Sequence, residues 1–410
     1  MANSNTYDLA IIGGGIAGSS LAKCMAESGA RVLLLEAAQQ FKDRVRGEVL
    51  VCWGVAEAKS LGLDDALSKA GAHKLRWCNN YLGAMQTERR DLPASTPASS
   101  PVITFYHPAM QEGILQAAES AGADVKRGVD ASLVTTGFPA ELHWNDGVRS
   151  AKAEARLVVI ADGRNSPLRR SLGFEVKKET HTGCVAGIIF DNVSLADDTL
   201  YWFINPALGE AIGWAPEGGS RVRTYLCYWG DRKPRYQGPP DVPKILADFA
   251  WTGMAAEYFS KAQPAGPLAT FDGADTWVDQ PYKGGVALLG DTAASNDPTW
   301  GQGLSIALRG ARTLRDSLLR NQDWHKAGEE YALEFRRWYG ITRTVTGWFR
   351  ELYLETGEIP DARRARAFPL FAEDPTRVPD LIFGGPDISL HRASKTRFFG
   401  EDIRGAAVSA

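Results

Sequence analysis

Several features that would indicate a special environment or a metal centre are scarce in this 410-residue chain. Cysteine occurs only five times, scattered and without a C-x-x-C pair, so we expect free thiols in a reducing cytoplasm rather than a disulfide framework. The five are Cys24, Cys52, Cys78, Cys184 and Cys227. The six histidines are equally dispersed, and the sequence therefore predicts no metal site.

Long apolar runs and an excess of charge of one sign are absent as well. No apolar stretch reaches the ~18 residues of a membrane-spanning helix, and the first residues contain neither a basic leader nor a cleavage site. The 46 basic and 49 acidic residues leave a net charge of −3, which gives no support for nucleic acid or an anionic membrane as a partner. We therefore expect a cytoplasmic globular protein of two or three domains, with its oligomeric state open.

The most informative stretch that is present covers residues 7–36. A short apolar run at residues 8–12 predicts a buried strand, and Gly13, Gly15 and Gly18 follow it at the G-x-G-x-x-G positions. Such glycines permit a tight turn, a close approach of pyrophosphate and close packing of the next helix. That helix is predicted over residues 17–28, and Glu36 ends the strand after it, where a carboxylate can bind ribose hydroxyls. The unit predicts a dinucleotide site; the alternative is the same fold with an empty crevice.

Two arginines follow this unit, Arg44 and Arg46, just before Gly47. Guanidinium groups beside a dinucleotide site can bind pyrophosphate through paired hydrogen bonds. From spacing alone, a pair of solvated surface arginines is an equal alternative.

Two later stretches also combine a buried strand with a polar turn. The strand predicted over residues 157–160 precedes Asp162-Gly163, and the strand predicted over residues 286–289 precedes Gly290-Asp291. Ligands of open α/β sheets bind at the carboxyl ends of strands, although each aspartate could equally be a turn or helix cap. A glycine-rich loop with Pro298, Gly301, Gln302 and Gly303 then leads into a helix predicted over residues 304–320.

Taken together, these motifs resemble those of single-component FAD-dependent aromatic monooxygenases with the 4-hydroxybenzoate hydroxylase fold. The resemblance covers about residues 7–319 and implies that FAD is bound non-covalently. It implies that the second motif also serves NAD(P)H and that the third holds the ribityl chain and covers the flavin ring. The cofactor-binding residues implied in this way are Gly13, Gly15, Ile16, Ala17, Gly18, Glu36, Arg44, Arg46, Gln111, Asp162, Gly163, Asp291, Gly301, Gly303 and Leu304.

The family pattern also differs from this chain at three positions. Ala294 stands where a histidine is common, and Trp300 replaces a usual glycine in the third motif. Near residue 108, where an arginine or glutamine is common, the candidates are His107 and Gln111.

Between the second and third motifs the pattern changes to alternating strands, predicted from residue 182 to residue 229. The predicted fold is therefore an α/β Rossmann-like FAD-binding domain with an inserted antiparallel-sheet substrate domain and a helical C-terminal region. FAD-binding parts are predicted at residues 1–80, 101–180 and 281–320, a loop or substrate-domain part at 81–100, the substrate sheet at 181–280, and a helical region with an irregular tail at 321–410. Residues 91–101 predict an exposed loop, and residues 54–63 a helix.

The resemblance implies that NADPH or NADH reduces FAD transiently and that O₂ then forms a flavin C4a-hydroperoxide, which hydroxylates a substituted phenol or related small aromatic. Candidates for handling the phenol proton are His181, Tyr201, Tyr225 and Tyr228, because they lie in or beside the presumed substrate sheet, and Pro298 joins them from the third motif. Along residues 221–229 the odd-numbered side chains share one face and the even-numbered ones the other. The sequence does not decide which face meets the pocket.

Three alternatives stay open: a flavin-dependent halogenase, a prenyl-chain reductase, or a flavin-holding protein that binds an aromatic ligand without turnover. Halogenases carry a W-x-W-x-I-P signature, and the nearest match here, Gly213-Trp214-Ala215-Pro216, lacks the paired tryptophan and the isoleucine. A prenyl reductase needs a long apolar tunnel, whereas the predicted sheet offers mixed faces with Arg, Tyr and Thr. These points favour hydroxylation.

Overall fold

A computed structural model describes residues 5–145, 147–181, 183–389 and 394–403, without the side chains of residues 132 and 133. The predicted start of the substrate sheet at residue 182 and parts of the predicted tail, residues 390–393 and 404–410, lie outside the described residues. Among the described residues no helix is long and apolar enough to cross a membrane. The same residues contain no cluster of three or more His, Cys, Asp or Glu that could hold a metal ion.

The first sheet has eight strands and a parallel centre, as the apolar runs predicted. Its central strand, Thr6–Ile12, pairs in parallel with Ser150–Ile160 on one side and with Val32–Glu36 on the other. Leu9, Ala10 and their neighbours on these strands are almost fully buried because helices or loops cover both faces. The other strands are Asp124–Arg127, Asp130–Thr135, Ala140–Asn145, Tyr282–Lys283 and Val286–Leu288.

The second sheet is mostly antiparallel and also has eight strands. Its order is Gln263–Pro264, Gly183–Asp191, Arg221–Trp229, Glu210–Gly218, Thr199–Asn205, Trp77–Leu82 and Met85–Asp91, and Ala269–Asp272 pairs with the second of these. The hairpin of Trp77–Leu82 and Met85–Asp91 was not predicted, and its first strand crosses the predicted boundary at residue 80. Apolar and polar residues alternate only weakly along this first strand, so its sequence does not indicate a strand. Cys78 is nevertheless fully buried, because the strand pairs with Thr199–Asn205.

Two small three-stranded sheets complete the strands. One contains Lys177–Lys178, Thr276–Trp277 and Ala294–Ser295, and the other contains Val49–Leu50, His73–Leu75 and Val102–Thr104. Both connect segments that are far apart in the sequence, so neither could be recognised from local patterns.

Most α-helices cover the first sheet or form the C-terminal region, and the helix Val242–Thr252 packs on the second sheet. They are Ile16–Glu27, Cys52–Ser60, Asp64–Lys69, Leu92–Ser95, His107–Ser120, Pro167–Ser171, Val242–Thr252, Gly303–Arg320, Trp324–Tyr353, Glu358–Glu373, Leu381–Gly384 and Lys395–Phe398. Five 3₁₀ turns lie at Pro239–Asp241, Ala256–Tyr258, Gly290–Thr292, Pro298–Trp300 and Pro375–Arg377. The α/β fold with an antiparallel sheet and C-terminal helices is the predicted one.

Two local predictions were wrong. The predicted exposed loop at residues 91–101 contains the helix Leu92–Ser95, which begins where the Asp91 carboxylate accepts a hydrogen bond from the N–H of Ala94, and Leu92 is fully buried. The predicted irregular tail contains the 16-residue helix Glu358–Glu373 despite Pro369 in its interior. Its aromatic side chains pack on the preceding helix, and such tertiary burial outweighs weak local preference.

Candidate active site

The first glycine motif has the geometry that a bound dinucleotide requires. Gly13 has φ of +108°, and a Cβ there would lie 2.2 Å from the carbonyl oxygen of Ala161. A Cβ on Gly18 would lie 2.0 Å from the carbonyl oxygen of Gly13. Gly15 precedes the helix Ile16–Glu27, and its nearest neighbour would be Nε2 of Gln111 at 3.9 Å. Gly13 and Gly18 are thus needed for close packing, while Gly15 borders open space at a helix N-terminus that can face phosphates.

Glu36 lies at the carboxyl end of its strand and is half-buried. Its Oε2 accepts a hydrogen bond from the N–H of Gly14 at 2.6 Å, and its Oε1 accepts one from the N–H of Ala38 at 2.7 Å. These two backbone donors fix the carboxylate beside the glycine turn, where it retains acceptor capacity for ribose hydroxyls.

The second and third motifs meet each other next to the first. The Thr292 hydroxyl donates to the carboxylate of Asp162 at 3.1 Å and accepts from the N–H of Gly163 at 2.8 Å. A Cβ on Gly290 would lie 2.9 Å from Cβ of Ala17 at the start of the first helix. The three motifs, separated by more than a hundred residues, therefore converge on one edge of the first sheet.

Two glycines of the second and third motifs border empty space in which a cofactor could lie. An added Cβ would meet nothing within 4 Å at Gly163 and at Gly303, which is the first residue of an 18-residue helix. Gly301 has φ of +65° in the loop before it. The half-buried Asp291 carboxylate receives no hydrogen bond from the described residues. A glycine-lined groove with a free carboxylate and two helix N-termini has the donors and acceptors that FAD requires.

The predicted arginines lie in a loop of residues 43–48, called the arginine loop below. Arg44 and Arg46 are exposed, while Val45 between them is fully buried with φ of +53°. At the end of the loop, Gly47 faces Leu304, because a Cβ there would lie 3.8 Å from Cγ of that leucine. The loop thus reaches the start of the third-motif helix, beside the groove.

The structure also decides which face of the second sheet meets the groove. Leu226 and Tyr228 share a core with the helix Val242–Thr252. The odd-numbered side chains of the strand Arg221–Trp229 face the other way: Tyr225 bonds to the arginine loop, and Cys227 shares a core with Trp300.

The groove-facing side of the second sheet contains a gap. It lies in a row of three residues that stand opposite one another on neighbouring strands. Gly213 is flanked by Trp202 on one neighbouring strand and by Tyr225 on the other. A Cβ on Gly213 would meet nothing within 4 Å, and across the gap a Cβ on Gly301 would lie 3.9 Å from the Trp202 ring. The sheet therefore leaves space between two aromatic side chains, next to the glycine loop of the third motif.

The five predicted catalytic candidates lie in three places, and Tyr228 shares the core on the side of Tyr201. Tyr201 faces the opposite side of the sheet, where it is buried and its hydroxyl accepts from the N–H of Ala196 at 3.1 Å. Tyr225 lies on the groove side, and its hydroxyl donates to the carbonyl of Arg46 at 2.7 Å. His181 and Pro298 lie near each other, because both adjoin the contact between Gly183 and Gly273.

His181 has the environment of a neutral histidine. Its Nδ1 accepts a hydrogen bond from the N–H of Gly183 at 3.1 Å, and its buried Nε2 has no partner among the described residues. Burial lowers the pKa of His181, although the nearby charge of Asp297 opposes this shift.

Sequence reasoning missed a buried acid beside Pro298. Asp275 is 1% exposed and accepts from the backbone N–H of Asp297 and, at 3.3 Å, from the side chain of Asn296. Burial, reinforced by the charge of Asp297, raises the pKa of Asp275 to about 7. No local signal identified it, because its partners lie about twenty residues away across a short strand pair.

Comparisons by sequence agree with this geometry. The family described as FAD binding domain matches residues 6–323. Squalene monooxygenase SE2 of Panax ginseng is 26% identical over 337 residues, which cover 78% of this chain but only 59% of that protein. Menaquinone reductase of Mycobacterium tuberculosis is 26% identical, with 79% of each chain covered. The 6-methylpretetramide 4-monooxygenase of Streptomyces rimosus is 24% identical, with 90% and 89% covered.

Solved structures share the fold. The p-nitrophenol 4-monooxygenase PnpA of Pseudomonas putida DLL-E4 has a TM-score of 0.76 at 17% identity, covering 92% of this chain and 95% of that chain. The flavin-dependent brominase Bmp2 has a TM-score of 0.77 at 17% identity, covering 97% and 98%. The family match spans most of the chain and the three motifs converge on one groove, so this protein belongs to the FAD binding domain family, with the flavoprotein monooxygenase fold that its motifs predicted.

Proposed function

We propose that this protein is an FAD-dependent monooxygenase that uses NADPH or NADH and O₂ to hydroxylate a small phenol-like aromatic compound. The observation that carries the proposal is the gap at Gly213, between Trp202 and Tyr225 and next to the glycine loop of the third motif. Strands are spaced by ~4.8 Å, so the two flanking aromatic residues stand about 10 Å apart, which leaves room for one planar ring.

The chain's own residues would bind and orient the cofactor. Glu36 accepts from the ribose, Asp291 from the ribityl chain, and the helix N-terminus at Gly303 stabilises negative charge at the ring edge. When bound, FAD would supply the redox chemistry: the nicotinamide would provide two electrons as hydride, one atom of O₂ would enter the substrate, and the other would leave as water. The surrounding aromatic side chains exclude water from the reacting carbon.

His181 is a proposed hydrogen-bond donor of the groove; it lies beside Trp229, four residues along the strand from Tyr225, which flanks the gap. Its Nδ1 accepts from a backbone N–H, so the neutral ring carries its proton on Nε2, the nitrogen without a described partner. A donor that reaches the phenol oxygen would stabilise the phenolate and lower the pKa of the phenol, which makes the ring carbon electron-rich. Replacement of His181 by Gln keeps a donor and should retain more turnover than replacement by Leu.

The small residues of the strand Glu210–Gly218 support hydroxylation over halogenation. Ala211, Gly213 and Ala215 alternate onto the groove side, so no bulky side chain of this strand separates a ring from the flavin. A halogenase is built to keep its substrate away from the flavin, and the described residues of this strand provide no such barrier.

The test is turnover of a panel of substituted phenols by the purified FAD-loaded protein under ¹⁸O₂, in buffer that contains bromide. We expect phenol-dependent oxidation of NADPH or NADH and one ¹⁸O atom in a new ring hydroxyl. A brominated product, turnover only with an added flavin reductase, or a reduced alkene from a prenylated quinone would reject the proposal. Ligand binding without any product would identify a binding protein instead.

A further inference from the structure

A fully buried arginine in the second sheet bonds to the arginine loop. Arg223 is 0% exposed, and its guanidinium pairs with the carboxylates of Glu48, also 0% exposed, and of Asp43, at 3.1 Å. Arginine is rarely buried unless it is paired. These two acids lie at the start and end of the arginine loop, about 180 residues away in the sequence.

The next groove-facing residue of the same strand holds the middle of the loop. The hydroxyl of Tyr225 donates to the carbonyl of Arg46 at 2.7 Å and accepts from the N–H of Glu48 at 3.1 Å. On the neighbouring strand, Gly187 leaves room for the buried Val45, because a Cβ there would lie 2.6 Å from that side chain. One strand and its neighbour thus contact the loop in three ways: at its two acid side chains, at its backbone and at the Val45 side chain.

Glu48 extends this contact to the cofactor groove. Its Oε1 accepts from the N–H of His107 at 2.6 Å, at the start of the helix that carries Gln111. Gln111 in turn lies next to Gly15 in the first motif. The Glu48 carboxylate therefore joins the arginine loop to the start of the helix His107–Ser120 and to Arg223 of the second sheet.

We infer that Arg223 and Tyr225 are positioning residues that hold the arginine loop of residues 43–48 in place, so that Arg44 and Arg46 are presented to bound FAD. Both arginines are exposed, and the loop backbone that carries them has a buried residue with φ of +53° at its centre, a conformation that needs external support. The support comes from the second sheet, so that cofactor retention depends on a strand outside the first sheet. The inference rests on FAD binding and is independent of the substrate.

The test uses two groups of variants with matched controls on the same strand. Tyr225→Phe removes only the hydroxyl, and the double variant Arg223→Met with Glu48→Gln removes both charges of the buried pair together. The controls are Tyr228→Phe, whose hydroxyl bonds to Pro234 on the other face, and Arg221→Met, whose exposed side chain pairs with Asp191. Two quantities are measured: the affinity of the apoprotein for FAD, and tryptic cleavage after Arg44 and Arg46 in the FAD-loaded protein.

We expect roughly tenfold weaker FAD binding for Tyr225→Phe, the scale of one lost hydrogen-bonding group, and a larger loss for the double variant. In both variants, cleavage after Arg44 and Arg46 should increase selectively, without general digestion of the protein. Arg223→Lys, which keeps a positive charge, should bind FAD more tightly than the double variant. Unchanged affinity and unchanged cleavage in Tyr225→Phe would overturn the inference, even if the double variant fails to fold. Equal effects in the two control variants would also overturn it.

Discussion

The hydroxyl of Thr292 lies 3.1 Å from the carboxylate of Asp162 and 2.8 Å from the N–H of Gly163, and so joins the second and third motifs directly. Thr292 is 0% exposed, and its own carbonyl accepts a hydrogen bond from buried Arg169 at 2.7 Å. The edge of the groove that we propose as the FAD site therefore depends on a threonine that neither motif pattern includes.

Replacement of Thr292 by Val should lower the free energy of unfolding by about 1–3 kcal/mol, because the N–H of Gly163 loses its partner. FAD affinity should fall with it. The control is Thr313→Val, which removes a buried hydroxyl that bonds only within its own helix, to the carbonyl of Arg309. Urea denaturation and FAD titration measure both quantities, and equal losses in the two variants would contradict a role specific to the groove.

Replacement of Glu36 by Ala should weaken FAD binding by roughly 1–3 kcal/mol, the scale of lost charged hydrogen bonds. The loss should have two parts, since the carboxylate also fixes the N–H groups of Gly14 and Ala38. Glu27→Ala, on the exposed end of the adjacent helix, serves as the control. Fluorescence titration of apoprotein with FAD provides the measurement; an affinity equal to that of the control would refute the ribose assignment.

Replacement of Gly213 by Leu should fill the gap between Trp202 and Tyr225. We expect roughly tenfold or greater weakening of phenol binding by steric overlap, with FAD retained, because an added Cβ at Gly213 meets none of the proposed FAD-binding residues within 4 Å. Ligand-induced changes in flavin absorbance report binding without requiring turnover. Gly340→Leu is the matched control, since a Cβ there also meets nothing within 4 Å but lies on the helix Trp324–Tyr353, outside the substrate sheet. Unimpaired phenol binding in Gly213→Leu would place the substrate elsewhere.

The half-buried acid Glu217 should make stability depend on pH. Burial and the charge of Glu48 raise the pKa of Glu217 to about 8, so the folded state keeps a proton that the unfolded state loses above its ordinary pKa of about 4.5. Because the folded state binds more protons between these values, stability falls as the pH rises from about 4.5 to about 8. The charged and titratable groups around it are Asp43, Glu48, His73, Tyr106, Arg221, Arg223 and Tyr225.

Glu217→Gln removes this titration and should reduce the loss of stability between pH 6 and pH 9. Urea denaturation at both pH values measures the difference for each protein. An identical difference in wild type and variant would show that Glu217 does not keep its proton in the folded state. Asp275, with its pKa raised to about 7, contributes a slope of the same sign and is left unchanged in the comparison.

The sequence by itself determined the features that depend on neighbours in the chain. Gly13 and Gly18 predict a turn and a close helix because no other residue fits their positions, and Glu36 follows the second strand at a fixed spacing. Each of the three motifs is a strand, a turn and a helix start within about thirty residues. Local geometry therefore suffices to recognise them, and their order along the chain predicted the family.

Only the tertiary structure decided how distant segments meet. Alternation along the strand Arg221–Trp229 divides its side chains into two faces, but the groove side is set by packing against the helix Val242–Thr252. Tyr201 accordingly lies on the side away from the groove, although the sequence made it an equal candidate to Tyr225. The partnership of Arg223 with Glu48 spans 175 residues, and a buried ion pair has no periodicity that a sequence could display. Such contacts arise because burial removes both charges from water at once, and only the folded chain brings them together.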